Sequence, residues 1–211
     1  MTQDKSPLEL PLDLTKRKVD PNPFKQFARW FEEGAAAEPI LPEAVTLATA
    51  SKDGKPSSRV VLLKKFDESG FVFYTNYQSR KGTELAENPQ AALCFYWRQL
   101  ERQISVTGIV TQVSREESEA YFRTRPRGSQ LGALASRQSQ VTASREVLEK
   151  RFEQVMAQYS GKEIPLPSYW GGYRLAPSTI EFWQGRPDRM HDRLRYSRQS
   201  GSRWKIERLA P

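Results

Sequence analysis

The segment VTLATASKDGKPSSRVVLLKKFDESGFVFYT, residues 45–75, alternates apolar runs with turn residues. Asp53-Gly54 separates the first run from the second, and Glu68-Ser69-Gly70 separates the second from the third. Because Asp-Gly supplies the positive φ angles that tight reversals need, this segment predicts antiparallel strands joined by hairpins. A meander of this kind usually closes on itself, since closure removes exposed strand edges.

Apolar periodicity extends the prediction on both sides of this segment. Aromatic residues from Phe24 to Phe31 recur at spacings of three and four, which predicts an amphipathic helix over 23–34. Further strands are predicted at ALCFYW (92–97), QISVTGIVTQV (103–113), YWGGYRL (169–175), TIEFWQ (179–184), RLRYSRQ (193–199) and SRWKIERL (202–209), and further helices at 80–88, 114–122 and 144–159. We therefore expect a mainly β fold with flanking helices (α+β). Residues 1–22 are expected to form a mobile N-terminal arm, and 23–211 a single domain.

The composition limits which classes of binding partner and which cellular compartment are expected. The 211 residues carry a formal net charge of +8, which favours an anionic partner such as nucleic acid, acidic lipid or a phosphorylated small molecule. The single cysteine, Cys94, cannot form an internal disulfide, so a reducing cytoplasmic setting is expected. With one cysteine and one histidine, no metal site is expected. No apolar run approaches the roughly 18 residues of a spanning helix, and no membrane partner is expected.

Cationic side chains occur where the predicted strands end. Arg59 and Lys64 bracket RVVLLK, and Arg80-Lys81 follow FVFYT. Such positions suit phosphate recognition, because Arg offers a planar fork of donors and Lys a point charge. Taken singly, each of these residues is more often a solvated surface residue, so the prediction depends on the collective pattern.

This collective pattern resembles the pyridoxamine 5'-phosphate oxidase family, and the match runs from about Asp20 to Pro211. The motifs that carry it are RVVLLK (59–64), FYTNYQSRKG (73–82), LERQISVTG (100–108), SRQS (136–139), PLPSYWGGYRL (165–175), IEFWQG (180–185), RMHDR (189–193) and WKIERLAP (204–211). Any one fragment is weak evidence. These motifs occur in the same order as in the family and are spread over most of the chain, which argues against a chance resemblance.

The resemblance implies an FMN-binding split β-barrel of antiparallel Greek-key type. It implies a homodimer that holds flavin mononucleotide (FMN) at sites formed between the subunits. The residues implied at FMN are Arg59, Val60, Val61, Leu62, Leu63, Lys64, Tyr74, Thr75, Arg80, Lys81, Gln103, Gln138, Ser139, Trp183 and Arg193. Those implied at the substrate are Lys64, Tyr121, Arg125, Ser129, Arg189, Met190 and His191, with Arg189 and His191 as the catalytic residues.

The resemblance also implies a reaction in vitamin B6 salvage. Pyridoxamine 5'-phosphate or pyridoxine 5'-phosphate is oxidised by O2 to pyridoxal 5'-phosphate and H2O2, and the amine substrate releases ammonia. Two phosphate monoesters carry about −1.5 to −2 charges each near neutral pH, so a pocket that holds both needs several cations. The implied set of Arg and Lys residues agrees with that requirement.

Two details of the implied substrate site follow from the residues themselves. Tyr121, Arg125 and Ser129 are spaced by four, which would place them on one side of a continuous helix, although Pro126 kinks or ends a helix there. His191 stands among arginines in RMHDR, and neighbouring guanidinium groups disfavour an imidazolium. A neutral imidazole is therefore expected to form one hydrogen bond with the substrate.

The N-terminal segment departs from the family pattern. Family members commonly carry an Arg and a Tyr in an arm that folds over the substrate, and SPLELPLDLTKRK (6–18) offers no clear match to them. Closure over the site is then either absent or performed by other residues, such as Arg17.

Two other interpretations stay open at the sequence level. A split-barrel flavoprotein with a different substrate would share the 59–64 and 80–81 features without needing the implied phosphate-binding set. A basic β-barrel that binds nucleic acid would also use Trp, Tyr and Arg. Against it, the basic residues are spread among separate motifs rather than forming one stripe. The resemblance therefore favours small-molecule substrates over nucleic acid.

Overall fold

The computed structural model describes residues 13–201 and 203–211. Its helices are α1 (Pro23–Ala37), α2 (Arg80–Glu87), α3 (Arg115–Thr124), α4 (Arg127–Ala135) and α5 (Arg145–Gln158), with 3₁₀ turns at Arg98–Leu100 and Pro187–Arg189. Its strands are β1 (Ala44–Ala50), β2 (Pro56–Leu62), β3 (Lys65–Asp67), β4 (Gly70–Asn76), β5 (Gln90–Trp97), β6 (Arg102–Gln112), β7 (Trp170–Gln184), β8 (Asp192–Arg198) and β9 (Trp204–Leu209). Among these helices, none has both the length and the apolar character needed to cross a membrane.

Strand pairing follows the apolar pattern of the sequence. Neighbouring strands pair in the order β2-β1-β5-β6-β7-β4-β3, with β8 beside β7 and β9 beside β8. The β3–β4, β4–β7, β7–β8 and β8–β9 pairs are antiparallel. β4 is buried along nearly its whole length, which explains its continuous apolar run, whereas β5 buries alternate residues. The predicted hairpin at Glu68-Ser69 is confirmed, because Asp67 lies opposite Gly70.

β7 is longer than the sequence predicted. The residue patterns of YWGGYRL and TIEFWQ predicted two strands, but the structure has one strand of 15 residues. Its first part pairs with β4 from Trp170 to Leu175, and its second part pairs with β8 from Thr179 to Gln184. Pro177 lies between these two ladders, where neither needs the backbone N–H that proline lacks.

The chain divides into two compact units. The first unit contains residues 13–46, 92–108 and 177–211. Aromatic rings form its core: Phe27 of α1 packs against Phe95 with ring centroids 5.2 Å apart, and Trp30 packs edge-on against Phe182, also at 5.2 Å. The apolar face predicted for α1 is thus the face that the helix buries.

Residues 13–20 pack within this first unit. Leu14 and Val19 are buried, and the Tyr196 hydroxyl donates to the Asp20 carbonyl at 2.7 Å. The other part of the expected arm, residues 1–12, lies outside the described residues. The division into a mobile arm and one domain, with a boundary at residue 22, stays a prediction.

The second unit contains residues 47–91 and 109–176. Its helical part packs around Phe122, Leu131, Ile164 and Trp170, with Phe152 of α5 against them. This cluster joins α3, α4 and α5 to the start of β7. It therefore fixes the positions of the side chains that α3 and α4 carry.

A proline separates α3 from α4. The predicted helix start at Ser114 is confirmed, and the Ser114 hydroxyl caps α3 by accepting from the Glu117 backbone N–H at 3.1 Å. The helix ends at Thr124, and Pro126 precedes a new helix that the sequence analysis did not predict. Gln130 bridges the break, because its Nε2 donates to the Phe122 and Arg125 carbonyls at 3.1 and 3.0 Å. The Phe122 carbonyl also accepts from the Arg125 backbone N–H at 3.2 Å, so Gln130 adds a side-chain donor to the carbonyls at the end of α3.

The start of α2 requires a glycine at position 82. A Cβ added to Gly82 would lie 2.1 Å from the Tyr77 carbonyl oxygen, which is backbone and cannot swing away. We expect Gly82→Ala to lower the free energy of unfolding by about 1–3 kcal/mol, the usual cost of overpacking, as measured by urea denaturation.

The matched control is Gly132→Ala in α4. Apart from its chain neighbours and the backbone of α4 itself, no described atom lies within 4 Å of a Cβ added there, so the helix should gain about 0.5–1 kcal/mol from the better helix former. Equal effects of the two substitutions would contradict the close approach at Gly82.

Candidate functional site

A cavity of about 600 Å³ opens in the second unit between β2, β4, α2, α3 and α4. It is lined by Val60, Val61, Leu62, Lys64, Tyr74, Thr75, Asn76, Lys81, Tyr121, Thr124, Arg125, Pro126, Ser129, Gln138 and Trp170. The structure thus brings the four predicted phosphate-binding residues Lys64, Tyr121, Arg125 and Ser129 together with many of those predicted at FMN. The lining contains three cations and no carboxylate.

Lys81 is a buried cation at this cavity. It lies in the first turn of α2, with 7% of its surface exposed. Its Nζ donates to the hydroxyl oxygens of Thr75 and Ser79 at 3.2 and 3.3 Å. Burial, aided by the charge of Arg59 and opposed by Glu84, lowers the pKa of Lys81 from its usual value. Within the described part of the chain these hydroxyls are the hydrogen-bond acceptors of this ammonium, and an anion that reaches it would stabilise its charge.

Arg125 presents a second cation. It caps the end of α3, and its guanidinium lies over the Trp170 ring at 4.6 Å. Its Nη1 is buried and has no hydrogen-bond partner among the described residues. Burial lowers the pKa of this guanidinium. Because a buried donor without an acceptor is costly, Arg125 is suited to bind an anionic ligand.

Stacked aromatic rings form one wall of the cavity. The rings of Tyr74 and Tyr121 stack with centroids 3.9 Å apart, and Tyr74 also stacks on Trp170 at 5.6 Å. Burial, together with nearby Glu117, raises the pKa of Tyr74 to about 12. Its hydroxyl therefore keeps its proton near neutral pH and can donate a hydrogen bond to a ligand.

Arg59 and Arg80 do not line this cavity, because both are engaged by Glu84. The Glu84 carboxylate accepts from Arg80 Nε at 2.8 Å and lies 3.4 Å from Arg59 Nη2. It also accepts from the hydroxyls of Thr49 and Ser57 at 2.5 and 2.6 Å. Burial alone would raise the pKa of Glu84, but these hydrogen bonds outweigh it and lower the pKa to about 2.

Two further predicted residues of the second unit also lie off the cavity lining. Leu63 is a buried core residue, and Ser139 is exposed with a positive φ of 71°. Their predicted contacts with FMN stay predictions.

The other predicted residues belong to the first unit, where most lie around the β7–β8 connection. The rings of Trp183 and His191 lie 4.6 Å apart, and Met190 is exposed. Arg193 forms an ion pair with Glu181 at 2.7 Å. Gln103 donates to the Ser105 hydroxyl at 3.2 Å, and Arg189 is exposed with a positive φ of 60°.

Sequence reasoning missed several residues of the cavity and its support. Asn76, Thr124, Pro126 and Trp170 line the cavity without having been predicted there. Glu84 had a readable signal, since it follows Arg80 by four residues on a predicted helix, the spacing of an ion pair. Trp170 had none, because an aromatic residue in a strand motif most often marks the core.

Comparison with known proteins identifies the family. Residues 31–159 match the family model of pyridoxamine 5'-phosphate oxidase, and residues 170–211 match the model of the pyridoxine 5'-phosphate oxidase C-terminal dimerisation region. The chain belongs to the pyridoxamine 5'-phosphate oxidase family. A pyridoxine/pyridoxamine 5'-phosphate oxidase of Trichormus variabilis is 57% identical over 198 residues, covering 94% of this chain and 92% of the relative. One of Rubrobacter xylanophilus is 56% identical over 198 residues, covering 94% and 91%.

Solved structures confirm the predicted fold class. PhzG from Burkholderia lata, in complex with tetrahydrophenazine-1-carboxylic acid, matches with a TM-score of 0.87 at 34% identity, covering 94% of this chain and 98% of that one. A pyridoxamine 5'-phosphate oxidase-related, FMN-binding protein from Nostoc punctiforme matches with a TM-score of 0.71 at 17% identity, covering 90% and 97%. The family member described here is therefore an antiparallel split barrel with flanking helices.

The buried Glu84 carboxylate should make stability depend on pH. Its pKa is about 2 in the folded chain and 4.5 ordinarily, so its contribution is complete above pH 4.5 and is lost as the pH falls towards 2. We expect the difference in unfolding free energy between the wild type and Glu84→Gln to shrink by about 2 kcal/mol from pH 7 to pH 3, as measured by urea denaturation.

The control for this measurement is Glu119→Gln, which removes an exposed ion pair with Arg123. Exposed pairs contribute little, so its difference from the wild type should stay near zero at both pH values. A Glu84→Gln difference that does not change with pH would contradict the buried network.

Proposed function

We propose that this chain is an FMN-dependent oxidase that converts pyridoxamine 5'-phosphate or pyridoxine 5'-phosphate, with O2, to pyridoxal 5'-phosphate and H2O2. The amine substrate also takes up one water, which supplies the aldehyde oxygen, and yields ammonia. The observation that carries the proposal is the cavity whose lining has Lys64, Lys81 and Arg125 but no carboxylate. Such a lining suits phosphate groups, and family membership indicates which phosphates they are.

The residues at the cavity fit both phosphate compounds. Lys81 and Thr75, with Gln138 bonded to Thr75 at 3.3 Å, would hold FMN together with Val60 to Leu62. Lys64, Tyr121, Arg125 and Ser129 would hold the substrate phosphate. FMN, when bound, supplies the two-electron acceptor that amino-acid side chains lack. The chain's own contribution is to anchor and orient both molecules.

The predicted residues of the first unit keep the roles that the resemblance implies. We assign Arg189 and His191 to the pyridine ring of the substrate and Met190 to the substrate without a specified contact. Gln103, Trp183 and Arg193 are assigned to FMN, as the resemblance implies. We also propose a homodimer with FMN bound at the subunit interface, supported by the match of residues 170–211 to a dimerisation region. The proposed setting is the cytoplasm, where this reaction serves vitamin B6 salvage.

The PhzG complex supports a second candidate substrate, a ring carboxylic acid in place of a phosphate ester. Arg125 suits a carboxylate as well as a phosphate, because both accept two parallel hydrogen bonds from a guanidinium. A carboxylate, however, brings one negative charge, whereas a phosphate monoester brings about −1.5 to −2. The cation-rich lining therefore favours the ester.

The proposed reaction is tested by peroxide release. The purified protein, saturated with FMN in air, should release H2O2 and form pyridoxal 5'-phosphate from both esters. Unphosphorylated pyridoxamine and pyridoxine should show kcat/KM values about 100-fold lower or worse, because they leave Arg125 without its anion. Peroxide from a partly reduced phenazine carboxylic acid, with none from either ester, would support the second candidate and contradict the first.

Replacement of Lys81 tests the proposed FMN site. We expect Lys81→Ala to raise the FMN dissociation constant of the apoprotein about 10- to 100-fold, since it removes a charged hydrogen bond to the phosphate. Flavin fluorescence titration measures this change. The stability of the apoprotein should hold or rise, because the substitution removes a buried charge that forms no ion pair within the structurally described residues.

Lys65→Ala is the matched control. Lys65 is an exposed lysine on β3 whose Nζ lies 3.6 Å from Asp67 Oδ2, away from the cavity lining. Its replacement should leave FMN affinity unchanged. An FMN dissociation constant that is the same in the wild type and Lys81→Ala would remove Lys81 from the proposed site.

A further inference from the structure

The connection between β7 and β8 is a loop held in an uncommon backbone conformation. Asp188 and Arg189 both have positive φ angles, 57° and 60°, in a backbone region that residues other than glycine rarely adopt. Each such residue costs of order 1 kcal/mol, so surrounding contacts must hold the loop. One of these contacts is the hydrogen bond from the Met190 backbone N–H to the Pro187 carbonyl at 3.1 Å.

The other contact that closes the loop involves the chain's single histidine. The Arg186 backbone N–H donates to His191 Nδ1 at 3.1 Å. A ring nitrogen that accepts a hydrogen bond carries no proton, so the proton of the neutral imidazole lies on Nε2. The Trp183 ring, 4.6 Å away, restricts rotation of the imidazole. His191 thus presents Nε2–H as a donor of defined direction.

The side chain of Arg186 forms ion pairs with Asp192 and Asp13. Its Nε donates to Asp192 Oδ2 at 2.8 Å, and its Nη2 lies 3.2 Å from Asp13 Oδ1. Arg208 donates to the other oxygen of Asp192 at 2.5 Å. Asp192 thus joins two arginines from opposite sides. Burial opposes its charge, but the hydrogen bonds from Arg208 and Arg186 lower its pKa, so it stays ionised near neutral pH.

The N-terminal segment takes part in the same cluster through its backbone. Arg208 Nη2 donates to the Leu14 carbonyl at 2.7 Å, and the Leu14 N–H donates to Asp192 Oδ2 at 3.4 Å. Leu14 itself is buried. A continuous set of contacts therefore runs from residues 13–14, through Asp192 and Arg186, to the imidazole of His191.

We infer that Arg186 and Asp192 are positioning residues that hold His191 as an Nε2–H donor, and that Asp13 and Leu14 complete this support. The inference rests on the proposed function only in taking His191 to contact the substrate. Asp192 holds the Arg186 side chain, and the Arg186 backbone N–H holds the His191 imidazole. Loosening of the ion pair should let the ring rotate and exchange its proton between the two nitrogens.

Nuclear magnetic resonance tests this directly, because the one histidine gives a single imidazole signal set. In the ¹⁵N-labelled wild type at pH 9, we expect a proton on Nε2 and a scalar coupling across the bond between the Arg186 amide nitrogen and Nδ1. In Asp192→Asn the coupling should vanish and the two tautomers should exchange. The Asp13 side chain is exposed, so its removal should not affect folding. In Asp13→Ala the coupling should weaken.

The control is Glu207→Gln, which breaks an ion pair with Arg195 across the same two strands, β8 and β9, and should leave the imidazole signals unchanged. A wild-type proton on Nδ1, or a coupling that survives in both Asp192→Asn and Asp13→Ala, would overturn the inference. These spectra need no substrate, so a failure of the proposed reaction would leave this result readable.

Kinetics then separate a positioning role from a structural one. Asp192→Asn should lower kcat with pyridoxamine 5'-phosphate about tenfold, while KM and the FMN dissociation constant change by less than about threefold. Glu207→Gln should match the wild type in all three. An unchanged kcat in Asp192→Asn, or a loss that appears only as weaker FMN binding, would also overturn the inference.

Discussion

Positive charge without a matching carboxylate is the constraint on which the site depends. Over residues 13–201 and 203–211, buried Lys81 donates to hydroxyl oxygens and forms no ion pair, and Arg125 keeps a buried nitrogen without an acceptor. An uncompensated buried charge costs a protein several kcal/mol, so the fold tolerates this arrangement at the expense of its own stability. Phosphate groups would offset that cost on binding. This explains why cations gather at the cavity while the acidic residues of the second unit lie elsewhere.

Glu84 shows the opposite arrangement a few residues away. There the carboxylate, Arg59, Arg80 and two hydroxyls satisfy one another in a buried network. Such a network is expensive to break and therefore holds α2 against the β1–β2 hairpin. Since Lys81 is carried by the first turn of α2, the neutralised network positions a cation that is itself left for a ligand. Structural and ligand-binding charges are thus separated along one short helix.

Local sequence signals predicted most elements because they depend on nearby residues. The helix start at Ser114, the turn at Glu68-Ser69 and the aromatic face of α1 each follow from residue types within a few positions. α4 was not predicted because Pro126 indicates the end of a helix. The neighbouring sequence does not reveal that Gln130 donates to the Phe122 and Arg125 carbonyls. β7 continues past Pro177 as one strand because it pairs with β4 before this proline and with β8 after it. These pairings join residues far apart in sequence, so local patterns do not predict them. The cavity residues came from the family resemblance, whereas spacing alone gave only scattered cations.

The most direct measurement is the affinity of the apoprotein for FMN compared with riboflavin, by isothermal titration calorimetry at fixed salt. The two ligands share the ring system and differ in the phosphate. If uncompensated cations define the site, FMN should bind at least about 100-fold more tightly than riboflavin, and added inorganic phosphate should weaken FMN binding. Equal affinities, with no effect of phosphate, would contradict the account.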